Sequence, residues 1–360
     1  MKIIFLVPNP IGTIPGQRFR FEQYLPYLSE KSISFKVCPF VSRKFHRILY
    51  KKGHIFKKCL YTIGGFLYRI FNVFQAMNYD LVFIYREAAP LGPPLLEKFL
   101  HLMGKPIVFD FDDAIYLSSS SNANKFMRFL KFPSKTNYII KISTLVLVGN
   151  RNLQNYAFRF NKNIAIVPTV INTDLYQPKE YSKKDKACLG WSGSITTITH
   201  LNLIKDVLRE ICLKYDTYIK VIGSNDFFIP GIKIFTQEWK LETESDDLRE
   251  IDIGLMPLPD DEWGRGKCGL KALQYMALGI PTICSPVGVN TEIIRDGVNG
   301  FFCRTEDEWV ETLSLLIDNK ELCERIGLEG RKTVEERYSV KVSAPFFLDI
   351  LKRTYGDTRK

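Results

Sequence analysis

Arg265, Lys267 and Lys271 follow one another at intervals of two and four residues, interleaved with Gly266 and Gly269. Downstream, Leu270, Leu273 and Ala277 recur at helical spacing, and Gly279 with Pro281 ends the pattern before a β-branched run from Thr282 to Val287. The spacing predicts a helix that begins near Gly266–Gly269 and carries the three cations at its start. Cations there have the wrong sign for the helix dipole, so side chains and unbonded N–H groups combine into a positive end. Such an end suits a multivalent anion, for example a diphosphate. A solvated basic turn would have the same composition, so the reading needs support from elsewhere.

Three other clusters bear on it. Gly190-Trp-Ser-Gly-Ser194 follows an apolar run, and Gly193 allows close backbone approach while Ser194 offers a donor to phosphate oxygens. Trp191 reads as a core residue. Asp110, Asp112 and Asp113 close another buried run, where carboxylates repel unless they cap a helix, bind a cation or serve a substrate. Asp113 has the type of a simple N-cap, and Asp110-Phe-Asp112 that of a divalent-ion site. With positive charge already supplied by the basic helix start, a metal is redundant. Asp112 and Asp113 are therefore read as lining the active site and acting on substrate hydroxyls. Near the amino terminus a turn-rich loop containing Gly12 and Gly16 leads to Arg18 and Arg20, of which only one is expected to face the site. Arg86 ends a further strand, as a buried ion pair or as a substrate contact. His46, His54, His101 and His200 show no ligand spacing and receive no role.

The surrounding chain limits what these clusters can belong to. Its 360 residues suffice for two domains, and 46% hydrophobic with 25% charged residues is a globular composition. The eight cysteines are scattered without a Cys-x-x-Cys pair, which argues against zinc and for reduced thiols in a cytoplasm. The apolar start is too short for a signal peptide, and no run is long enough to span a membrane. The formal charge of +11 is uneven, since Lys31 to Tyr79 contains no Asp or Glu. There Lys51, Lys52, Lys57, Lys58 and other cations alternate with Phe, Leu and Ile, a pattern suited to anionic lipid at the inner face of the cell membrane. A lysine-rich helix face is the plainer alternative; no nucleic-acid motif accompanies the charge, and nucleic acid is not an expected partner.

Apolar β-rich runs alternate with helical patterns: Lys2–Val7, Ser34–Pro39, Leu81–Tyr85, Ile107–Phe111, Leu145–Val148 and Ile164–Val167, then Ala187–Trp191, Tyr218–Ile222, Ile232–Phe235, Ile251–Met256, Pro281–Ser285 and Gly300–Cys303. Two doubly wound α/β halves follow. The expected organisation is residues 1–178, a linker at 179–186, residues 187–338, and a final helical stretch at 339–360.

Taken whole, Arg265–Glu292 resembles the donor-binding signature of the retaining family 4, or group 1, glycosyltransferases, in the branch reading Gly-Lys-Cys-Gly-x-Lys-x-x-Gln-Tyr-Met-Ala-x-Gly-x-Pro and then Ser-x-x-Gly-x-Asn-x-Glu. Further matches lie in Gln17–Leu28, Val108–Ala114, Gly190–Ser194, Asp252–Pro257 and Gly297–Phe301. The resemblance implies the GT-B fold, two Rossmann-like domains facing a central cleft, with the last helix returning to the first domain. It implies transfer of a sugar from a nucleotide-diphosphate sugar, with retention and without metal or other cofactor. The acceptor would be a lipid-linked glycan or oligosaccharide of cell-surface polysaccharide or lipopolysaccharide synthesis. Arg265 and Lys267 would meet the leaving diphosphate, with Gly193, Ser194, Lys271, Gln274, Asn290 and Glu292 around the donor. Gly12, Gly16, Arg18 and Arg86 would lie on the acceptor side beside Asp112 and Asp113. The wider family has two glutamates where this chain has Gly266 and Gln274, and Gln274 would replace the second at the donor ribose. A nucleotide-sugar 2-epimerase of the same fold and a non-catalytic sugar-nucleotide-binding protein are the alternatives.

Overall fold

The computed structural model describes residues 1–51, 53–117, 132, 134–181 and 186–357. They form two compact units, Met1–Pro168 with Ala344–Lys360, and Thr169–Ser343. In the first unit β1 (Lys2–Val7), β2 (Ser34–Pro39), β3 (Leu81–Tyr85), β4 (Ile107–Phe111), β5 (Leu145–Val148) and β6 (Ile164–Ile166) make a sheet ordered β2-β1-β3-β4-β5-β6. Every neighbouring pair is parallel. Ile3 to Val7 and Leu81 to Tyr85 are wholly buried, as continuous apolar strands covered on both faces should be.

The second unit repeats the plan with β7 (Ala187–Ser192), β8 (Thr217–Ile222), β9 (Ile234–Gln237), β10 (Ile253–Met256), β11 (Thr282–Cys284) and β12 (Phe301–Phe302). Its parallel order is β12-β11-β10-β7-β8-β9. These are the two doubly wound, Rossmann-like sheets of a GT-B chain. In each the winding reverses once, between β1 and β3 and between β7 and β10. Ligands of such sheets bind beyond the carboxyl ends of the strands at that reversal, which singles out the residues after Val7, Tyr85, Ser192 and Met256.

Three sequence expectations change. The division falls after Pro168, because residues 169–178 are bonded into the second unit. Arg331 donates to the carbonyls of Thr173, Tyr176 and Ala277, and the Tyr176 hydroxyl donates to Glu244. Of the expected linker, residues 182–185 lie outside the described residues, and its first residue is no solvated hinge. The Lys179 ammonium is buried, ion-paired with Asp252 and donating to the Ile251 carbonyl. The carboxy-terminal segment belongs with the first unit, where Phe347 stacks on Tyr24 at 4.4 Å between centroids and the Tyr355 hydroxyl donates to Asp80.

The third change concerns the acid-free stretch. Its cations do not alternate with apolar residues over one surface. Arg69, in the helix Ile55–Gln75, is fully buried and donates to the carbonyls of Val7 and Cys38, each at 2.8 Å. The guanidinium thus ties the carboxyl ends of β1 and β2 together, sharing the Val7 carbonyl with the Phe40 amide.

Candidate functional site

The basic stretch after β10 folds as two helices. Asp261 caps the first, Glu262–Arg265, by accepting from the Gly264 amide at 2.6 Å. The second, Leu270–Ala277, begins at Gly269, which has φ of 71° and no side chain to cap the first turn. A Cβ at Gly269 would also lie 2.3 Å from the Ile293 Cδ1 atom, so glycine is required twice over. The single helix expected from the spacing is therefore corrected. Arg265 ends the first helix, Lys267 lies between the two, and Lys271 alone sits in the first turn of the second.

Each lysine lies over an indole. The Lys267 ammonium is 4.8 Å from the Trp263 ring centre, and that of Lys271 is 5.1 Å from the Trp191 ring centre. Trp191 is wholly buried in the core at the end of β7, so its ring anchors Lys271 at the reversal point of the sheet. Arg265 is exposed and its Nε donates to Asp260 at 2.7 Å, making it a rim residue. The Ser194 amide donates to the Thr197 hydroxyl at 2.9 Å in a tight turn, leaving the Ser194 side chain exposed.

A residue assigned no role in the sequence enters here. Burial, then Lys271 and Lys267, push the His200 imidazole down to about 4, with Asp261 opposing them. Both lysines thus act electrostatically on this ring. Its Nδ1 atom is buried with no hydrogen-bond partner among the described residues. The only hint in the sequence was its place six residues after Ser194, and it lies in the short 3-10 helix Ile198–Ile204.

Asn290 and Glu292 lie in the short helix after β11. Asn290 is fully buried; its Nδ2 donates to the Ser285 carbonyl at 3.0 Å, while its Oδ1 lacks a partner among the described residues. Glu292 is exposed, and its backbone carbonyl takes the Tyr338 hydroxyl at 3.5 Å. Gln274, expected at the donor ribose, lies on the inner face of the helix. It is 4% exposed and donates to the Tyr176 hydroxyl, which in turn donates to Glu244. Its position on the inner face of the helix commits the amide to that network.

In the first unit the candidates gather beyond β3 and β4. Arg86, at φ of 59°, donates from Nε to Asp112 at 2.8 Å and from Nη2 to Asp113 at 2.6 Å. The Tyr85 hydroxyl donates to the same Asp112 oxygen at 2.9 Å. Burial pulls the Arg86 guanidinium down, but Asp112, Tyr85 and Asp113 outweigh it and hold it well above its ordinary value. Burial pushes the Tyr85 phenol well up, so it remains a donor. Gly16 abuts this group: a Cβ there would stand 2.6 Å from the Tyr85 hydroxyl and 2.9 Å from the Asp112 Oδ2. Arg86, Asp112 and Asp113 thus form one shared ion-pair cluster.

Arg20 and Arg18 separate as their spacing required. Arg20 is buried and paired with Asp110, while Arg18 is half-buried with its guanidinium 4.8 Å from the Phe19 ring centre. Gly12 donates its amide to Glu22 at 2.9 Å, and Gln17 bonds Asn9 and Glu22, which together fix the loop after β1. Of the surface lysines, Lys51 and Lys57 are exposed and Lys58 donates to the Lys51 carbonyl at 2.6 Å. Lys52 lies outside the described residues. No three His, Cys, Asp or Glu side chains are placed to share a metal ion among the described residues.

Known proteins are similar to this chain in one segment of sequence and in fold. Residues 260–333 match the family model described as Glycosyl transferases group 1. EpsD of Bacillus subtilis (strain 168), named as a glycosyltransferase, is 39% identical over 67 residues, a stretch spanning 18% of this chain and 18% of that protein. The fold is similar to that of sucrose-phosphate synthase from Thermosynechococcus elongatus, with a TM-score of 0.72 at 12% identity over 99% of this chain and 100% of that one. It is also similar to HepE of Anabaena, solved with UDP-glucose, with a TM-score of 0.66 at 13% identity over 98% and 100% of the two chains. The segment with the two lysines and the bare helix start thus falls within the stretch that matches the glycosyl transferases group 1 model, on a chain of the GT-B fold.

Proposed function

We propose that this chain is a retaining, family 4 glycosyltransferase that moves a sugar from a nucleotide-diphosphate sugar to a lipid-linked or oligosaccharide acceptor. The observation that carries the reading is the convergence of Lys267, Lys271 and His200 on an uncapped helix start at the reversal point of the second sheet. Negative charge grows on the diphosphate as the glycosidic bond breaks, and cations with preorganised amides stabilise that charge. HepE, of the same fold, has been solved with UDP and glucose, which supports a uridine nucleotide as the first donor to try. Asn290 Oδ1 and His200 Nδ1 are buried groups lacking partners among the described residues, and a bound donor would offer each a hydrogen bond.

The acceptor side of the proposal rests on Asp112. Tyr85 and Arg86 hold its carboxylate in one orientation, and Gly16 keeps space beside its second oxygen. In that setting Asp112 orients the acceptor hydroxyl or takes its proton. Retention follows from attack on the face the diphosphate leaves, within the ion pair. Metal independence is part of the reading: Arg20 holds Asp110, and Arg86 holds Asp112 and Asp113, so a divalent ion would have to displace both arginines. The same reading places the chain in the cytoplasm, in polysaccharide or lipopolysaccharide synthesis.

Calorimetric titration with UDP and UDP-sugars, followed by transfer assays with a membrane lipid extract, tests this. We expect micromolar-class binding that Lys267→Ala and Lys271→Ala together abolish. Donor converted to its C2 epimer without acceptor would overturn the reading in favour of an epimerase, and binding without any turnover would favour a binding protein.

A further inference from the structure

The helix Ile55–Gln75 turns one side inward through Gly65, Arg69, Asn72 and Val73. Gly65 lets it cross Phe40 closely, since a Cβ would meet the Phe40 ring at 2.9 Å and its carbonyl at 3.0 Å. The opposite side should be polar in an ordinary surface helix. It carries Phe56, Leu60, Ile63, Leu67, Phe71 and Phe74, at intervals of four, three, four, four and three residues, all between 53% and 76% exposed. Between Cys59 and Met77 the only charged residue is Arg69, and it is buried. The outward face is therefore an uncharged apolar ridge, about 30 Å long at 1.5 Å per residue.

A second helix extends it. Phe74 meets Phe99 edge-on at 5.7 Å, and the helix Leu95–Leu102 also exposes Leu95 and Leu102 at 64% and 71%. A patch of this kind on a lone chain marks a contact surface. Its charge identifies the partner. Exposed Arg43, Lys44, Arg47, Lys51 and Lys57 gather in the chain leading to the ridge and its first turn, and residues 31–79 hold no acid at all. An apolar layer beneath anionic headgroups complements both features at once. No helix among the described residues is long and apolar enough to cross a membrane, so the ridge would lie on the layer.

We propose that the Ile55–Gln75 and Leu95–Leu102 helices dock this chain on an anionic lipid bilayer, with the apolar ridge at the acyl boundary and the cationic end among the headgroups. Docking goes beyond the transfer chemistry and does not depend on it. Flotation of the full chain with phosphatidylcholine–phosphatidylglycerol vesicles, against phosphatidylcholine alone, tests it. Wild type should float with the anionic vesicles at low salt. Leu67→Ser with Phe71→Ser should weaken partitioning by about 100-fold, two exposed side chains no longer entering the acyl layer. Both positions are exposed, so melting temperature and nucleotide binding should be unchanged in the variant. Neutralising Lys51, Lys57 and Lys58 should remove the preference for phosphatidylglycerol. Wild type that ignores the anionic vesicles, or a ridge variant that floats as well as wild type, would overturn docking. So would a wild-type dimer that the ridge substitutions split, in the absence of flotation, since the ridge would then belong to a second copy. Loss of transferase activity with flotation intact would leave docking standing and remove only the enzymatic reading.

Discussion

Charged side chains meet beyond β3 and β4, and again beyond β7 and β10, but the two groups are built differently. In the first unit arginines and carboxylates answer one another: Arg20 holds Asp110, while Arg86 holds Asp112 and Asp113. In the second, Lys267 and Lys271 lie over Trp263 and Trp191, and burial together with their charge favours the neutral form of His200. A cation over an aromatic face gains about 0.5–2 kcal/mol, less than a buried ion pair loses when broken. The first arrangement holds its own geometry, and the second can exchange a ring for a phosphate at small cost. The difference suggests a division of labour, with a rigid carboxylate for the acceptor and a yielding cationic end for the donor.

Breaking the closed cluster should have the largest effect. Arg20→Met leaves Asp110 charged and buried, both partners being about 1% exposed, and should cost about 3–5 kcal/mol in urea unfolding. Adding Asp110→Leu should recover most of that loss. A lone Arg20→Met that unfolds at the wild-type urea midpoint would show that the pair is not structural.

Next in size, Lys267→Ala should lower turnover by about two to three orders of magnitude with circular dichroism unchanged, the scale of losing one leaving-group stabiliser. Arg265→Ala should act in the same direction but far more weakly, because that side chain is exposed and engaged with Asp260. Equal effects of the two substitutions on kcat would contradict the distinction between core and rim.

A smaller effect is expected from pH. The His200 imidazole falls from 6.5 to about 4 in the folded chain through burial, Lys271 and Lys267. Folding therefore favours its neutral form. That contribution is complete above 6.5 and is lost as the pH falls from 6.5 toward 4, where the unfolded chain takes up a proton and the folded one does not. Urea midpoints of wild type and His200→Gln should converge across this window; parallel curves would mean that the ring is not perturbed. Smallest of all, EDTA should leave transfer unchanged. Activity lost to EDTA and restored by manganese would return a metal to Asp110, Asp112 and Asp113.

Legibility followed the range of each interaction. Each of the twelve strands lies within a residue or two of its expected apolar run, because continuous burial on both faces writes itself into consecutive residues. The places of Asp112 and Asp113 after a strand end and of Lys271 in a first helical turn were also legible, since strand ends and helix starts have local signatures. The partners of Gln274, Lys179 and Arg331 were not. Each reaches a hydroxyl, carbonyl or carboxylate more than fifty positions away, and a carbonyl acceptor leaves no trace in residue type.

The amino-acid sequence by itself determined two doubly wound halves, a basic glycine-bounded segment with the family's motif, and an acid-free stretch rich in lysine and phenylalanine. Tertiary structure alone decided which cations of that stretch face water. A period of 3.6 residues marks the faces of a helix but cannot say which is inward when both are apolar. Gly65 against Phe40 and Arg69 on the β1 and β2 carbonyls settle that orientation, leaving Phe56 to Phe74 outside. Tertiary structure likewise put His200 within the field of Lys267 and Lys271 and joined Gln274 to Tyr176, because proximity across a sheet depends on strand order and not on spacing along the chain.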